Sequence, residues 1–334
     1  MMIRLLQLRH PSAGRRVAIV ADDSTLRLLN ASSAYELAQA ALSAGDRLVR
    51  TVLANLTDET VPYNDVYKGA SDWSILPCFH HPEEPARCLV SGTGLTHKGS
   101  AEDRQAMHAM AEAELTDSMK MYRWGLEGGR PRAGEVGVPP EWFYKGSGTI
   151  LRGHGEPLVV PGFGEDGGEE AEIAGVYIID QAGQPRRVGM TTANEFSDHR
   201  MERRNYLYLA PSKLRLCAIG PELVLDPSFS SVRGVVAIER AGERIWSKEI
   251  ATGEEHMCHS LANMEHHHFK YEEHRRPGDV HIHFFGAAAL SFGEGVQLED
   301  GDDMIVAFEG FGRALRNPIR FERREQTPIE VQPI

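Results

Sequence analysis

Cysteine is scarce in this chain of 334 residues: Cys78, Cys88, Cys217 and Cys258 stand far apart, and none belongs to a Cys-x-x-Cys pair. That spacing writes neither a zinc knuckle nor a thioredoxin motif, and leaves buried free thiols as the reading. Basic charge is also short. Lys and Arg number 36 against 48 Asp and Glu, and the net charge of −12 argues against an extended phosphate-binding surface or attraction to anionic lipid. Nucleic acid and membrane are therefore not expected partners, although a local basic pocket for a small acid is compatible with that balance. No run approaches the roughly 18 apolar residues of a membrane span. The apolar start is broken by Gln7, Arg9 and His10, which suits a first strand better than a signal-peptide core. Repeats of solenoid length and long low-complexity segments are missing too. A soluble, cytoplasmic protein is the expectation.

What is present can build a core, since 41% of the residues are hydrophobic. Ile3 to Leu8, Val17 to Ala21 and Leu26 to Leu29 read as strands, with a turn at Asp22-Asp23-Ser24. Ser33-Ala34-Tyr35-Glu36 has the form of a capping box, and the Ala-rich helix it opens ends at Gly45. Residues 101–124 place Met107, Ala111, Leu115, Met119 and Tyr122 on one helical face, and Glu127 to Pro140 reads as a surface loop. Short apolar runs dominate beyond it, at Val176 to Ile179, Val235 to Ile238, Val280 to Phe285 and Met304 to Phe308. The fold class expected is α+β and β-rich, with a small α+β domain at residues 1–70 and a larger domain at 71–334.

Chemistry concentrates between Glu165 and Asp226. In an extended strand residues i and i+2 share a face, so Glu170 and Glu172 can aim both carboxylates at one spot. Pairing Glu169 with Ala171 supplies no second carboxylate, so the pattern selects the other register. A third carboxylate from Glu195 completes a half-open oxygen site for a hard dication such as Mg²⁺. Taken alone, Glu-x-Glu also fits a solvated strand face.

The ordered set is more specific. The carboxylate pair, a strand, Ala193-Asn194-Glu195-Phe196-Ser197, Lys213 and Gly220-Pro221 together resemble the core of the fumarylacetoacetate hydrolase family. Leu76-Pro77 with His81-Pro82-Glu83, Pro277-Gly278-Asp279-Val280 before Gly286, and Asp300-Gly301-Asp302-Asp303 through Glu309-Gly310-Phe311-Gly312 to Arg316-Asn317 extend the resemblance over roughly residues 70 to 320. Cys88 to Ala101 and Tyr144-Lys145-Gly146-Ser147-Gly148 look most like a bacterial sugar-acid branch discussed with 2-keto-3-deoxypentonate dehydratases. The resemblance implies a fumarylacetoacetase C-terminal-like mixed β-roll, a homodimer, and a metal at one end of the roll: Mg²⁺, with Mn²⁺ or Ca²⁺ as alternatives. It also implies roles. Glu170, Glu172 and Glu195 would hold the metal, Glu195 standing where the family usually has Asp and so reaching about 1 Å further.

Lys213 falls at the family's lysine position, where an ammonium would stabilise an enolate or bind a carboxylate; outside that context a lone Lys is a surface cation. His97 matches the lid histidine of family hydrolases but lacks its Asn-Tyr companions, and its next acid is Glu102. The hydrolytic dyad is thus altered, which leaves His97 or Glu102 for proton transfer, or Ser100 capping the following helix. Lys145 and Ser147 are expected near substrate, or else in a strand-end turn, and Thr192 and Asn194 beside the metal acid. The family's Gly-Thr turn is here Gly286-Ala287-Ala288, so that hydroxyl is lost.

The run His266-His267-His268, with His259, His274, His281 and His283, suggests a second metal less than a solvated or lid-lining cluster, because adjacent histidines point apart. His281 and His283 share a strand face, where they line a pocket, pack, or meet a second subunit. The leading function is Mg²⁺-dependent dehydration of a 2-keto-3-deoxy sugar acid, a pentonate giving 2-oxoglutarate semialdehyde in pentose catabolism, with a small 2-keto acid as substrate. The alternative is a metal-dependent carbon–carbon hydrolase of an acylpyruvate or diketo sugar acid; an inactive binding protein with the same fold is a third.

Overall fold

A computed structural model describes residues 2–99, 101–102, 116–323 and 327–334. Among them a twelve-stranded mixed sheet runs in the order Leu56–Pro62, Thr25–Leu29, Gly14–Asp22, Arg4–His10, Cys217–Val224, Pro185–Asn194, Ala171–Ile179, Val280–Phe284, Cys88–Gly94, Glu141–Ser147. Two short strands, Ser74–Ile75 and Leu151–Arg152, pair off that path. The amino-terminal strands are continuous with the rest of the sheet, because Arg4 and Leu5 pair antiparallel with Val224 and Leu223. Val280–Phe284 lies parallel to Cys88–Gly94; most other pairs are antiparallel. A five-stranded sheet, Glu243–Thr252, Val232–Arg240, Asp303–Phe308, Leu315–Phe321 and Leu158–Val160, packs against the first. The β-rich α+β class is as expected.

The strand Ala171–Ile179 shows why the site sits where it does. All nine residues are buried, as in a strand covered on both faces, which reads as a near-continuous apolar run. Ile173, Tyr177 and Ile179 enter the core between the two sheets, whereas Ala174, Val176 and Ile178 enter the core on the other face. Period-2 alternation puts Glu172 on the second face. Glu170 and Glu172 therefore stand at the start of a strand enclosed on both faces.

The helix Ala34–Ala44 begins and ends where the sequence places it. Ser33 Oγ accepts from the Glu36 N–H at 3.1 Å, and Gly45 closes the helix at φ 64°. The Glu36 carboxylate reaches back to the N–H and hydroxyl of Ser32, one residue earlier than a reciprocal box requires. The expected helix over 101–124 is described only in part, and its end differs. Met107, Ala111 and Leu115 lie outside the described residues, and the helix that is described, Asp117–Gly128, starts at a Thr116 cap and continues past the predicted end. Close approach is the reason. A Cβ at Gly125 would fall 2.6 Å from Cys258 Sγ, so glycine, usually a breaker, here lets the helix lie against the Cys258–His259 segment. The four cysteines are free and buried, as expected.

Candidate active site

Glu170, Glu172 and Glu195 come together: each offers a carboxylate oxygen, all within 4.8 Å of one another, and all three residues are buried. Two strands do this. Ala171 pairs with Asn194 and Glu172 with Ala193, while the Glu195 N–H donates to Glu170 O at 2.9 Å. A dication with oxygen ligands at about 2.0–2.6 Å spans such a set. Glu169 is used otherwise. Its two oxygens accept from the Ser291 N–H and Oγ, both at 2.8 Å, so it fastens the segment after Gly286 to the carboxylate strand.

Two lysines enter the same cluster. Lys213, on the short helix Leu209–Lys213, donates to Glu170 Oε1, to Glu195 Oε2 at 2.7 Å and to Ser197 Oγ at 3.0 Å. Its ammonium also lies 4.9 Å from the Phe143 ring centroid, a cation–π distance. Lys145, from the edge strand Glu141–Ser147, reaches Glu195 Oε1 at 2.6 Å and the carbonyls of Phe196 and Lys213 at 2.6 and 3.1 Å. Both side chains are fully enclosed.

Electrostatics follow from burial. Enclosure, then the charges of Glu195 and Glu170, push the Glu172 carboxyl well above the usual carboxylate range, while Lys213 acts weakly against this. Enclosure also raises Glu195, followed by Glu170, with Lys145 and Lys213 opposing. Both lysines pair with Glu170 or Glu195, whereas Glu172 is held by the Gly286 N–H at 2.7 Å. A +2 ion is the charge that lets all three carboxylates ionise together. The Gly286 turn is tight: at φ 97° a Cβ there would fall 2.0 Å from Thr96 Oγ1.

The other expected residues are placed as follows. Asn194 Oδ1 accepts from the Glu170 N–H at 3.2 Å, so it orients that ligand through its backbone. The Thr192 hydroxyl is buried without a hydrogen-bond partner; Thr192 pairs with Ile173, on the face turned away from Glu172. Ser147 Oγ meets Thr149 Oγ1 at 3.0 Å rather than the carboxylates. His97 is buried. Thr96 Oγ1 gives its proton to Phe285 O, so it accepts from His97 Nδ1 at 2.8 Å, and His97 Nε2 is left to accept from Thr252 at 3.0 Å. Burial, then the charge of His256, pushes this imidazole down to about 3. Glu102 sits at the surface, paired with Lys98 at 3.2 Å. The structure does not join His97 and Glu102 into a dyad, since a half-exposed carboxylate four residues from a lysine finds that lysine instead.

Of the histidine run expected to be solvated or lid-lining, His267 and His268 are buried and only His266 is exposed, while His281 and His283 are buried, as the packing alternative for that strand face has it. Trp142 Nε1 donates to His268 Nδ1 at 3.1 Å, and His268 Nε2 meets His281 Nδ1 at 2.9 Å. Neighbours in the run do diverge: His267 Nε2 turns to Gly137 O. Among the described residues the glutamate triad alone forms a group of three possible metal ligands.

Sequence reasoning missed His199. Its Nε2 lies 3.2 Å from Glu170 Oε1, and the ring fits only because Gly168 has no side chain: a Cβ there would fall 2.3 Å from Nδ1. Gly167 similarly makes room for Phe196. A histidine four residues after the third acid, with Gly-Gly just before the first, was the available signal.

Fold and centre together define a fumarylacetoacetate hydrolase-like roll that carries a buried triad of glutamates with two lysines. Comparison with solved structures agrees at the level of fold. The chain is similar to 2-keto-3-deoxy-D-arabinonate dehydratase complexed with magnesium and 2,5-dioxopentanoate, at 21% identity and a TM-score of 0.71, over 96% of this chain and 100% of that one. The apo form of that dehydratase gives 20% and 0.71 over the same shares. 5-Carboxymethyl-2-hydroxymuconate delta-isomerase from Mycobacterium smegmatis gives 18% and 0.57, again over 96% and 100%. These neighbours are enzymes, and one holds magnesium. No protein-family model matches the chain, and no curated protein matches it significantly. No helix among the described residues is long and apolar enough to cross a membrane.

Proposed function

We propose that this chain is a divalent-metal-dependent hydro-lyase that removes water from a 2-keto-3-deoxy sugar acid, a pentonate giving 2-oxoglutarate semialdehyde in pentose catabolism. The observation that carries the reading is the convergence of Glu170, Glu172 and Glu195 with Lys213 in one buried centre, on a fold shared with a dehydratase of that substrate class. Mg²⁺, held by the three glutamates, would supply Lewis-acid polarisation of the 2-keto oxygen. Lys213 offers an ammonium for the charge that develops when the C3 proton leaves, and Lys145 keeps Glu195 in place by pairing with its other oxygen. The C4 hydroxyl departs as water, and the enone formed tautomerises to the C5 aldehyde, so no carbon is lost. Glu102 has no part in this account, because its carboxylate is committed to Lys98 at the surface. His97 would act as a base only when the Thr252 hydroxyl turns away from Nε2. The reading extends to a cytoplasmic homodimer; the edge strand Glu141–Ser147 leaves Trp142 and Tyr144 exposed, and sedimentation tests the dimer.

The test is product identity with metal control. Protein stripped with EDTA should be inactive and regain activity with Mg²⁺ or Mn²⁺. With a 2-keto-3-deoxypentonate in D₂O, mass analysis should find one product retaining all the substrate's carbons, lighter by one water and labelled at C3. Rapid pyruvate release from an acylpyruvate, without dehydration of any 2-keto-3-deoxy acid, would overturn the lyase reading in favour of the hydrolase. Restoration by Zn²⁺ alone would move the metal away from an all-oxygen site.

A further inference from the structure

Glu170 Oε1 is approached by two donors, Lys213 Nζ and His199 Nε2. Such an oxygen has little lone-pair capacity left, so a metal would meet Glu170 chiefly through Oε2. His199 is fixed for this task from several sides. Asp198, its neighbour, caps the helix His199–Arg204 by accepting the Met201 N–H at 2.9 Å, and is pinned in turn by Arg215 at 2.9 Å. Gly168 clears the space beside Nδ1 and Cε1, and the Gly168–Ser197 bridge holds that glycine strand against the acid strand. On the opposite side Phe292 packs at 5.3 Å between ring centroids, and it belongs to the segment that Glu169 fastens through Ser291. Nδ1 is enclosed without a hydrogen-bond partner, so the polar contact with Glu170 is the one the ring's position serves.

We propose that His199 is a positioning residue of the metal centre, whose Nε2–H holds Glu170 Oε1 so that Oε2 faces the ion. The inference rests on the metal-site reading above and adds a residue to it. Outer contacts of this kind typically govern metal affinity by about 10–100-fold, because they set the orientation of the ligand before the ion arrives.

The experiment compares two substitutions of similar size and polarity. A glutamine amide reaches about where Nε2 lies, whereas an asparagine amide stops near Nδ1. Divalent affinity is measured calorimetrically on metal-free protein titrated with MnCl₂, for the unaltered chain, His199→Gln and His199→Asn, with urea unfolding of each as the check on fold. His199→Asn should bind Mn²⁺ about 10–100-fold more weakly, and His199→Gln should stay within a few-fold of the unaltered chain. Equal affinities across all three folded proteins would overturn the positioning role, as would equal weakening in both variants, which a merely structural part predicts. Should one variant fail to fold, Phe292→Ala serves in its place and should weaken Mn²⁺ binding by loosening the ring. An unaltered chain that binds no Mn²⁺ would instead remove the metal-site reading itself.

Discussion

Acid should destabilise this protein through histidines buried in the neutral state, and His283 is the cleanest case. Its ring lies between Ser91 Oγ and Thr93 Oγ1 at 2.8 and 2.7 Å, with His268 4.5 Å away. Burial, then the charge of His274, pushes it down to about 3, against roughly 6.5 in an unfolded chain. The folded value is depressed, so below pH 6.5 the unfolded chain binds more protons and acid favours unfolding. Between pH 7 and 5 the unfolded imidazole goes from about one-quarter protonated to almost fully protonated while the folded one stays neutral. Linkage then gives a loss of about 2 kcal/mol for this one group.

His97 and His281 are likewise held down to about 3 by burial, so the three together approach about 6 kcal/mol, comparable with a whole domain's stability. Glu169, Glu172 and Glu195 oppose the trend, because their raised values let the folded state take up protons first. A difference measurement cancels that opposition. Urea unfolding of the unaltered protein and of His283→Asn at pH 7 and pH 5 should show the unaltered protein losing about 2 kcal/mol more than the variant. Equal losses would refute the reasoning, since they would mean that His283 accepts a proton without cost in the folded state.

Other outcomes are expected at the centre itself. Glu170→Gln and Glu172→Gln should each abolish turnover and leave a folded protein by circular dichroism, because a neutral amide oxygen is a poor ligand for a hard cation; full activity of both variants would remove the site. Gly286→Ala should lower the midpoint of urea unfolding, with a loss of about 1–3 kcal/mol in unfolding free energy, because φ 97° is strained for alanine and its Cβ would collide with Thr96 Oγ1. It should also weaken Mn²⁺ binding, as the N–H that holds Glu172 moves with the turn; an unchanged midpoint would show that the turn yields freely.

Local signals in the sequence translated well. The Ser33 cap, the Gly45 stop and the short apolar runs are decided by residues a few positions apart, and strand period puts the glutamate pair on one face, with the ordered set around it marking that face as a site. What failed to be legible depends on distant partners. His199 meets Glu170 across 29 positions of sequence, and His283 meets Ser91 across 192. A histidine run reads as solvated when its charge is assumed, but a neutral imidazole with hydroxyl, indole and carbonyl partners can be enclosed. The end of the helix expected over 101–124, which runs on to Gly128, was missed for a similar reason. Gly125 and Gly129 look like breakers until the Cys258–His259 segment is laid against them.

The charge content of the core bears on why the centre is kept. Glu170, Glu172, Glu195, Lys145 and Lys213 are enclosed together, and buried ion clusters of this kind are weak sources of stability: well-packed apolar replacements are often neutral or stabilising by about 1–4 kcal/mol. Lys213 is shared between two carboxylates and Lys145 is spent on Glu195, whereas Glu172 relies on one main-chain N–H. A cluster built only for packing would pair its acids and bases evenly. This one leaves Glu172 as the acid whose ionisation a lysine supports only weakly, at the meeting point of the Glu170 strand and the Gly286 turn, which is where a dication would complete the balance.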